Sequence, residues 1–332
     1  MLKTLITVLI VVAFLLNGII GCSREQSAPK HEKITIAVSP WPASTPLYIA
    51  HEKGYFRDEG LDATLHSYTS GHLGLDAMLS GKADIATAGD TPIARAAIDS
   101  KPVAVVATVS EITSAILIIA RKDRGISAPD DLRGKKIGLA LGSAAEFFLH
   151  VYLTTSYINP KEVRIVNIAA DKIVDALLNG EVDAVSTWSP FTIVLREKLG
   201  SNALILHDPN IYTMTWNIAA TQDFVKTNPE RIKRFLRAVI RANSFINEHP
   251  DEARTISAKH IGTDSPLFEK EWKAYNFTAV LDQSLILNLE DQARWMIKRE
   301  AGSARRPSNF MDFIYTDGLK AVQPEAVTIA GR

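Results

Sequence analysis

The stretch Asp76-Ala77-Met78-Leu79-Ser80-Gly81-Lys82-Ala83-Asp84 has a near copy later in the chain, Asp175-Ala176-Leu177-Leu178-Asn179-Gly180-Glu181-Val182-Asp183. Both close a helix at glycine and enter a short strand through aspartate. An Asp-Ala-x-Leu-x-Gly helix end is common by itself. Here the flanking pattern of strand, loop and helix matches in the same order as well, so the sequence predicts two lobes of similar plan.

The first unit opens with Ile34-Thr35-Ile36-Ala37-Val38, a β-rich run broken at Ser39-Pro40-Trp41-Pro42. A helix is predicted over 45–53, a strand over 62–67, a helix carrying Leu75, Met78 and Leu79 on one face, and strands over 85–87 and 103–108. The second unit predicts a strand over 136–141, a loop at Gly142-Ser143-Ala144-Ala145 and a helix over 146–157. The alternation goes on through 163–168, 171–179 and 182–187. Strands that alternate with helices imply mostly parallel sheets covered on both faces. Two unmatched strands, 115–120 and 216–221, bracket the second unit and are the expected crossovers. After Thr221 the chain turns helical. Asn228-Pro229-Glu230 supplies a cap, a proline for the first turn and an early acid, and shorter helices are expected around 252–260, 266–274 and 289–299.

A chain of 332 residues can bury two cores of ordinary size. Its 37 basic residues balance 37 acidic ones with no basic block, which argues against a nucleic-acid partner. The start of the chain differs from the rest. Lys3 precedes an apolar run over 5–16 that has the length of a signal-peptide core and falls short of the roughly 20 residues a spanning helix needs. Ile19-Ile20-Gly21-Cys22 then resembles a bacterial lipobox, and Cys22 is the only cysteine in the chain. The expectation is a lipoprotein signal peptide over 1–22, lipidation at Cys22 and a flexible tether over 23–33.

Longer stretches carry a family resemblance. They are Pro46-Leu47-Tyr48-Ile49-Ala50-His51-Glu52-Lys53-Gly54-Tyr55-Phe56-Arg57-Asp58-Glu59-Gly60-Leu61-Asp62, Asp131-Leu132-Arg133-Gly134-Lys135-Lys136-Ile137-Gly138, Gly142-Ser143-Ala144-Ala145-Glu146-Phe147, and Gly180-Glu181-Val182-Asp183-Ala184-Val185 with Trp188-Ser189-Pro190-Phe191. From about 34 to 327 the chain resembles the nitrate, sulfonate and taurine group of ABC-transporter solute-binding proteins, whose fold is shared with thiamine-pyrimidine synthases. The resemblance implies an α/β type II periplasmic-binding-protein fold: two lobes joined by a two-segment hinge. Lobe 1 is expected over 34–112 plus 222–332 and lobe 2 over 113–221, with hinge segments near 112–121 and 212–221. It also implies a monomeric carrier in the periplasm or at the cell surface, anchored to the membrane through Cys22. That carrier delivers a small solute to an ABC permease and its ATPase.

In open α/β sheets, ligands sit beyond the carboxyl ends of the strands. Candidate ligand-binding residues there are Trp41, Thr69, Ser70, Gly71, Asp90, Thr91, Ser143, Ala144, Glu146 and Trp188. Several open helices, whose free amides and dipole bind anionic oxygens without a lysine. Each hydroxyl or glycine is also an ordinary cap, and each tryptophan an ordinary core residue. Glu146 and Asp90 suit a helix start electrostatically; turned toward the cleft they would instead favour an amine. A sulfonate, nitrate or taurine is therefore expected, with an aminopyrimidine thiamine precursor or another amine-bearing solute as the alternative. A sensor module of the same fold is also open. No catalytic residue, cofactor or metal is expected. The eight histidines lack metal spacing, and the cysteine-rich motif of the synthases is absent because the mature body contains no cysteine.

Overall fold

The computed structural model describes residues 31–300 and 309–330. A leading segment, Met1–His31, separates from a body, Glu32–Arg332, and of the leading segment only His31 is described. The signal peptide, the lipidation site Cys22 and most of the expected tether thus lie outside the described residues. The tether's last two residues, Glu32 and Lys33, already belong to the first strand.

The body begins with β1 (Glu32–Val38), α1 (Thr45–Glu52), α2 (Tyr55–Asp58), β2 (Leu61–Ser67) and α3 (Gly71–Leu79). There follow β3 (Ile85–Gly89), α4 (Asp90–Ile98), β4 (Val103–Ile112), β5 (Ile116–Arg121), β6 (Lys136–Leu139) and α5 (Ala144–Thr155). Next come β7 (Arg164–Asn167), α6 (Ile173–Leu178), β8 (Ala184–Trp188), α7 (Phe191–Leu199), β9 (Ala203–Leu206) and β10 (Met214–Thr221). The remainder is α8 (Gln222–Thr227), α9 (Pro229–Glu248), α10 (Pro250–Ile261), α11 (Pro266–Trp272), β11 (Tyr275–Val280), α12 (Gln283–Arg299) and α13 (Thr316–Val322).

These strands form two sheets, a larger one ordered β11-β4-β10-β3-β1-β2 and a smaller one ordered β7-β6-β8-β5-β9. The sheets are mixed, where mostly parallel ones were expected. Pairing is parallel at β1–β2, β1–β3, β6–β7 and β6–β8, and antiparallel wherever β4, β5, β9, β10 or β11 takes part. The cause is connectivity: β5 and β10 each follow a crossing between the sheets with no helix, through 113–115 and 207–213, and each runs against both of its neighbours.

The two sheets share one plan, β2-β1-β3-β10-β4 against β7-β6-β8-β5-β9. The repeated aspartates stitch it. Asp84 Oδ2 accepts hydrogen bonds from Thr35 N (2.7 Å) and Thr35 Oγ1 (2.8 Å), fastening the lead-in of β3 to β1. Asp183 Oδ2 accepts one from Lys136 N (2.9 Å), fastening the lead-in of β8 to β6. The glycine of each echo, Gly81 and Gly180, ends its helix at φ +76° and +75°, a backbone region that costs other residues strain.

The sequence reading assigns 113–221 to the second lobe, yet β10 at the end of that span pairs with β3 and β4 in the larger sheet. The return crossover is therefore 207–213, and the expected hinge over 212–221 only overlaps it. Tertiary pairing explains the difference: β10 is inserted between β3 and β4, and both of its faces are buried there over Met214 to Ala220. The main apolar core runs through the larger sheet and reaches Phe147, Phe148 and Leu149 of α5. A smaller cluster, including Leu117, Ile119, Leu177 and Val185, lies on the far face of the small sheet. Helix α9 seals the larger half with Ile232, Phe235, Leu236 and Val239, an i, i+3, i+4, i+7 stripe.

Candidate solute-binding cleft

Between the two sheets, at the carboxyl ends of β1, β2, β3, β6, β7 and β8, lies a cavity of about 220 Å³. The larger half supplies Ser39, Trp41, Thr69–Leu73, Gly89, Pro92, Met214 and Trp216; the smaller half supplies Ile116, 140–141, Ser143, Ala144, 169–171 and Trp188. Sheet topology accounts for this, since a chain that leaves each parallel strand and turns into a helix must place its loop at the same edge.

The floor is aromatic and tightly fitted. Trp41 meets Trp216 edge to face at 4.7 Å between ring centroids, and Trp216 Nε1 donates to the buried Ser44 Oγ (3.1 Å). Gly71 is required beside it, because a Cβ there would stand 2.7 Å from the Trp216 ring and 3.0 Å from Ala88 Cα. At Gly89 a Cβ would meet the Met214 methyl at 2.6 Å, a milder conflict because the end of a methionine side chain can move aside. Trp188, half-buried on the opposite wall, packs edge-on against Phe191 at 6.1 Å.

Two helices start at this cavity from different halves. At α3, Ser70 is the N-cap and its Oγ accepts from Leu73 N (3.3 Å), leaving the earliest amides of the helix toward the cavity. At α5, Ser143 Oγ donates to Ala140 O (2.6 Å) and so caps nothing. Ser39 adds a buried hydroxyl that lines the cavity and has no hydrogen-bond partner among the described residues. No lysine or arginine among the described residues lines the cavity; its ionisable side chains are His72 and Asp171. Both sit at the rim with partners of their own, His72 with Asp76 at 3.4 Å and Asp171 with Lys172 at 3.6 Å. The chemistry available to a solute is therefore helix amides, hydroxyls and flat apolar walls.

Of the candidates read from the sequence, Trp41, Thr69, Ser70, Gly71, Ser143, Ala144 and Trp188 meet at this cavity. Asp90, Thr91 and Glu146 do not, which corrects that expectation. Asp90 is fully buried; its Oδ1 accepts from Tyr212 Oη (2.6 Å) and Thr91 N (2.8 Å), and its Oδ2 from Thr215 N (3.2 Å). It occupies the N-terminus of α4 from within, and burial pushes its carboxyl above the ordinary value against those hydrogen bonds. Thr91 Oγ1 is bonded to Gln292. Glu146 turns away, with Oε2 accepting from Gly142 N (2.8 Å) and Oε1 paired with Arg299. Sequence reasoning missed Met214 and Trp216, because the sheet that β10 joins is not written locally, and passed over Ser39, although it directly follows the predicted strand 34–38.

A family model described as "NMT1/THI5 like" matches residues 41–253, well over half of the chain. The chain belongs to the NMT1/THI5-like family. Among curated relatives of this NMT1/THI5-like protein, a "Putative aliphatic sulfonates-binding protein" of Bacillus subtilis is 28% identical over 275 residues, covering 80% of this chain and 81% of the relative. The "Taurine-binding periplasmic protein" of Escherichia coli is 26% identical over 227 residues, covering 66% and 69%. Among solved structures, the alkanesulfonate-binding protein SsuA from Xanthomonas axonopodis pv. citri, bound to MOPS, superposes with a TM-score of 0.73 at 18% identity, covering 91% of this chain and all of that one. The fold is the type II periplasmic-binding-protein fold, with two lobes about a cleft.

Proposed function

We propose that this NMT1/THI5-like protein is the solute-binding component of an ABC importer, capturing a small organic anion of the sulfonate class by closure of the two halves. The observation that carries the reading is the cavity, which both sheets line at their carboxyl ends and which two helix starts face with no lysine or arginine among the described residues that line it. A single water needs roughly 10–15 Å³ of such space. A cavity of about 220 Å³ therefore suits a solute with an apolar body better than bare nitrate. The names of the sulfonate- and taurine-binding relatives support the same class.

The amine-bearing alternative drew on Asp90 and Glu146 facing the ligand. With both engaged elsewhere and Asp171 paired at the rim, the anion reading is favoured. Anion head and helix amides meet at the cavity wall, and the tail lies between Trp41 and Trp188. Closure then follows because the solute touches both halves at once and so favours the closed form.

The protein works as a monomeric carrier, without catalysis or cofactor. It is held at the periplasmic or outer face of a membrane through lipidated Cys22 and the tether after it, and it delivers its solute to a permease with an ATPase. Calorimetry with 1-hexanesulfonate, taurine, nitrate, bicarbonate and thiamine precursors tests the reading. Saturable micromolar binding, roughly 8 kcal/mol, is expected for the sulfonate. Turnover of any of these with no saturable binding would end it. Replacing Cys22 by alanine should move the protein from the membrane to the soluble fraction, and unchanged fractionation would remove the anchor.

A further inference from the structure

Away from the cavity, the halves are bridged by side chains that no ligand contact explains. Glu146 stands in the first turn of α5, in the smaller half, with its side chain 6% exposed. Its partner Arg299 comes from the last turn of α12, which packs on α4 in the larger half. The Arg299 guanidinium also lies 4.9 Å over the Trp295 ring, and Trp295 meets Phe147 of α5 edge-on at 5.3 Å. A second bridge, beyond β8, shares no residue with the first. Arg196 Nη1 of α7, in the smaller half, reaches Glu271 Oε1 of α11, in the larger half, at 3.1 Å, and Thr192 Oγ1 donates to the same oxygen (3.3 Å). Ser265 and Glu197 join the same two elements.

We infer that the ion pairs Glu146–Arg299 and Glu271–Arg196 are positioning residues that set the solute affinity by holding the halves closed, without touching the solute. None of the four lines the cavity. Each pair joins the two halves, so it adds nothing to the packing of either one alone, and its free energy enters only when the halves meet. Apparent affinity scales with the fraction of molecules in the binding-competent form, so a contact confined to the closed form raises it. Glu271 shows what the arrangement costs: burial pushes its carboxyl above the ordinary value in spite of the adjacent arginine. The inference rests on capture by closure, as proposed above.

The test uses the full chain carrying Cys22→Ser, with cysteines placed at His66 and Arg164 on the outer edge strands of the two sheets for spin labels. Arg299 and Arg196 are both partly exposed, so Arg299→Gln and Arg196→Gln leave no buried cavity. Without solute, each should lengthen the label-to-label distances, the double variant most. Affinity for 1-hexanesulfonate should fall by about three- to tenfold per substitution, while Arg299→Lys and Arg196→Lys keep both readouts near the parent. Unchanged distances in the double variant overturn the inference. If the parent fails to bind 1-hexanesulfonate, the sulfonate reading falls, and the distances still decide whether the pairs hold the halves together.

Discussion

The two halves are built on one strand plan, but they do different work at the cleft. The larger half gives a floor of fitted parts: Trp216 is 4% exposed, bonded to Ser44 and set edge to face with Trp41, with Gly71 tight against its ring. Beneath that floor Asp90 ties α4 to Tyr212 and Thr215. The smaller half gives a wall of small residues and one half-buried tryptophan, Trp188, over a sheet whose edge strand β7 is largely open to solvent and whose other edge, β9, is mostly half-buried. A repeated architecture thus holds one preformed surface and one that completes it on contact. Mutations on the two sides should separate accordingly.

The largest contrast lies between the tryptophans. Trp216→Ala removes a buried ring and its hydrogen bond to Ser44, so urea unfolding should record a loss of about 3–5 kcal/mol. Trp188→Ala should cost less than about 1.5 kcal/mol of stability and yet weaken 1-hexanesulfonate binding about tenfold. Equal stability losses would erase the distinction between floor and wall. The helix starts come next. Gly71→Ala forces a methyl into the Trp216 ring, at about 1–3 kcal/mol by the same assay. Gly142→Ala meets nothing within 4 Å and pays only for φ +76°, about 1 kcal/mol. The smallest difference concerns the stitching aspartates. Asp84 makes two hydrogen bonds to β1 through the oxygen with which Asp183 makes one to β6. Asp84→Ala should therefore cost about 1 kcal/mol more than Asp183→Ala, and a reversed order would show that the halves are not pinned alike.

Much of the fold was legible because it repeats. The echo at 76–84 and 175–183, with its flanking strand and helix periods, predicts the paired plan, and the strand ends it locates are where the cavity lies. Pairing direction was only partly legible: the unmatched strands 115–120 and 216–221 read as crossovers, but nothing local in them tells which sheet each joins or which way it runs there. The role of β10 was hidden for the same reason. A strand of small and apolar residues fits either sheet, and tertiary pairing decides between them. At the site, cap-forming residues could be found from sequence because capping chemistry is local. The orientation of an acid could not: Glu146 and Asp90 each satisfy a helix start, and their partners Arg299, Tyr212 and Thr215 lie far along the chain.

Everything between β4 and β10 enters and leaves the larger half through neighbouring strands, paired with each other over Val103 to Thr221. The first strand, opening at Glu32, and the closing bridge of Leu281 to Val327 both belong to that larger half. A pull applied at either end of the body is therefore borne by the six-stranded sheet alone. The inserted half lies off that path, so a surface that gripped this molecule at its leading segment would put no tension on the Glu146–Arg299 and Glu271–Arg196 bridges.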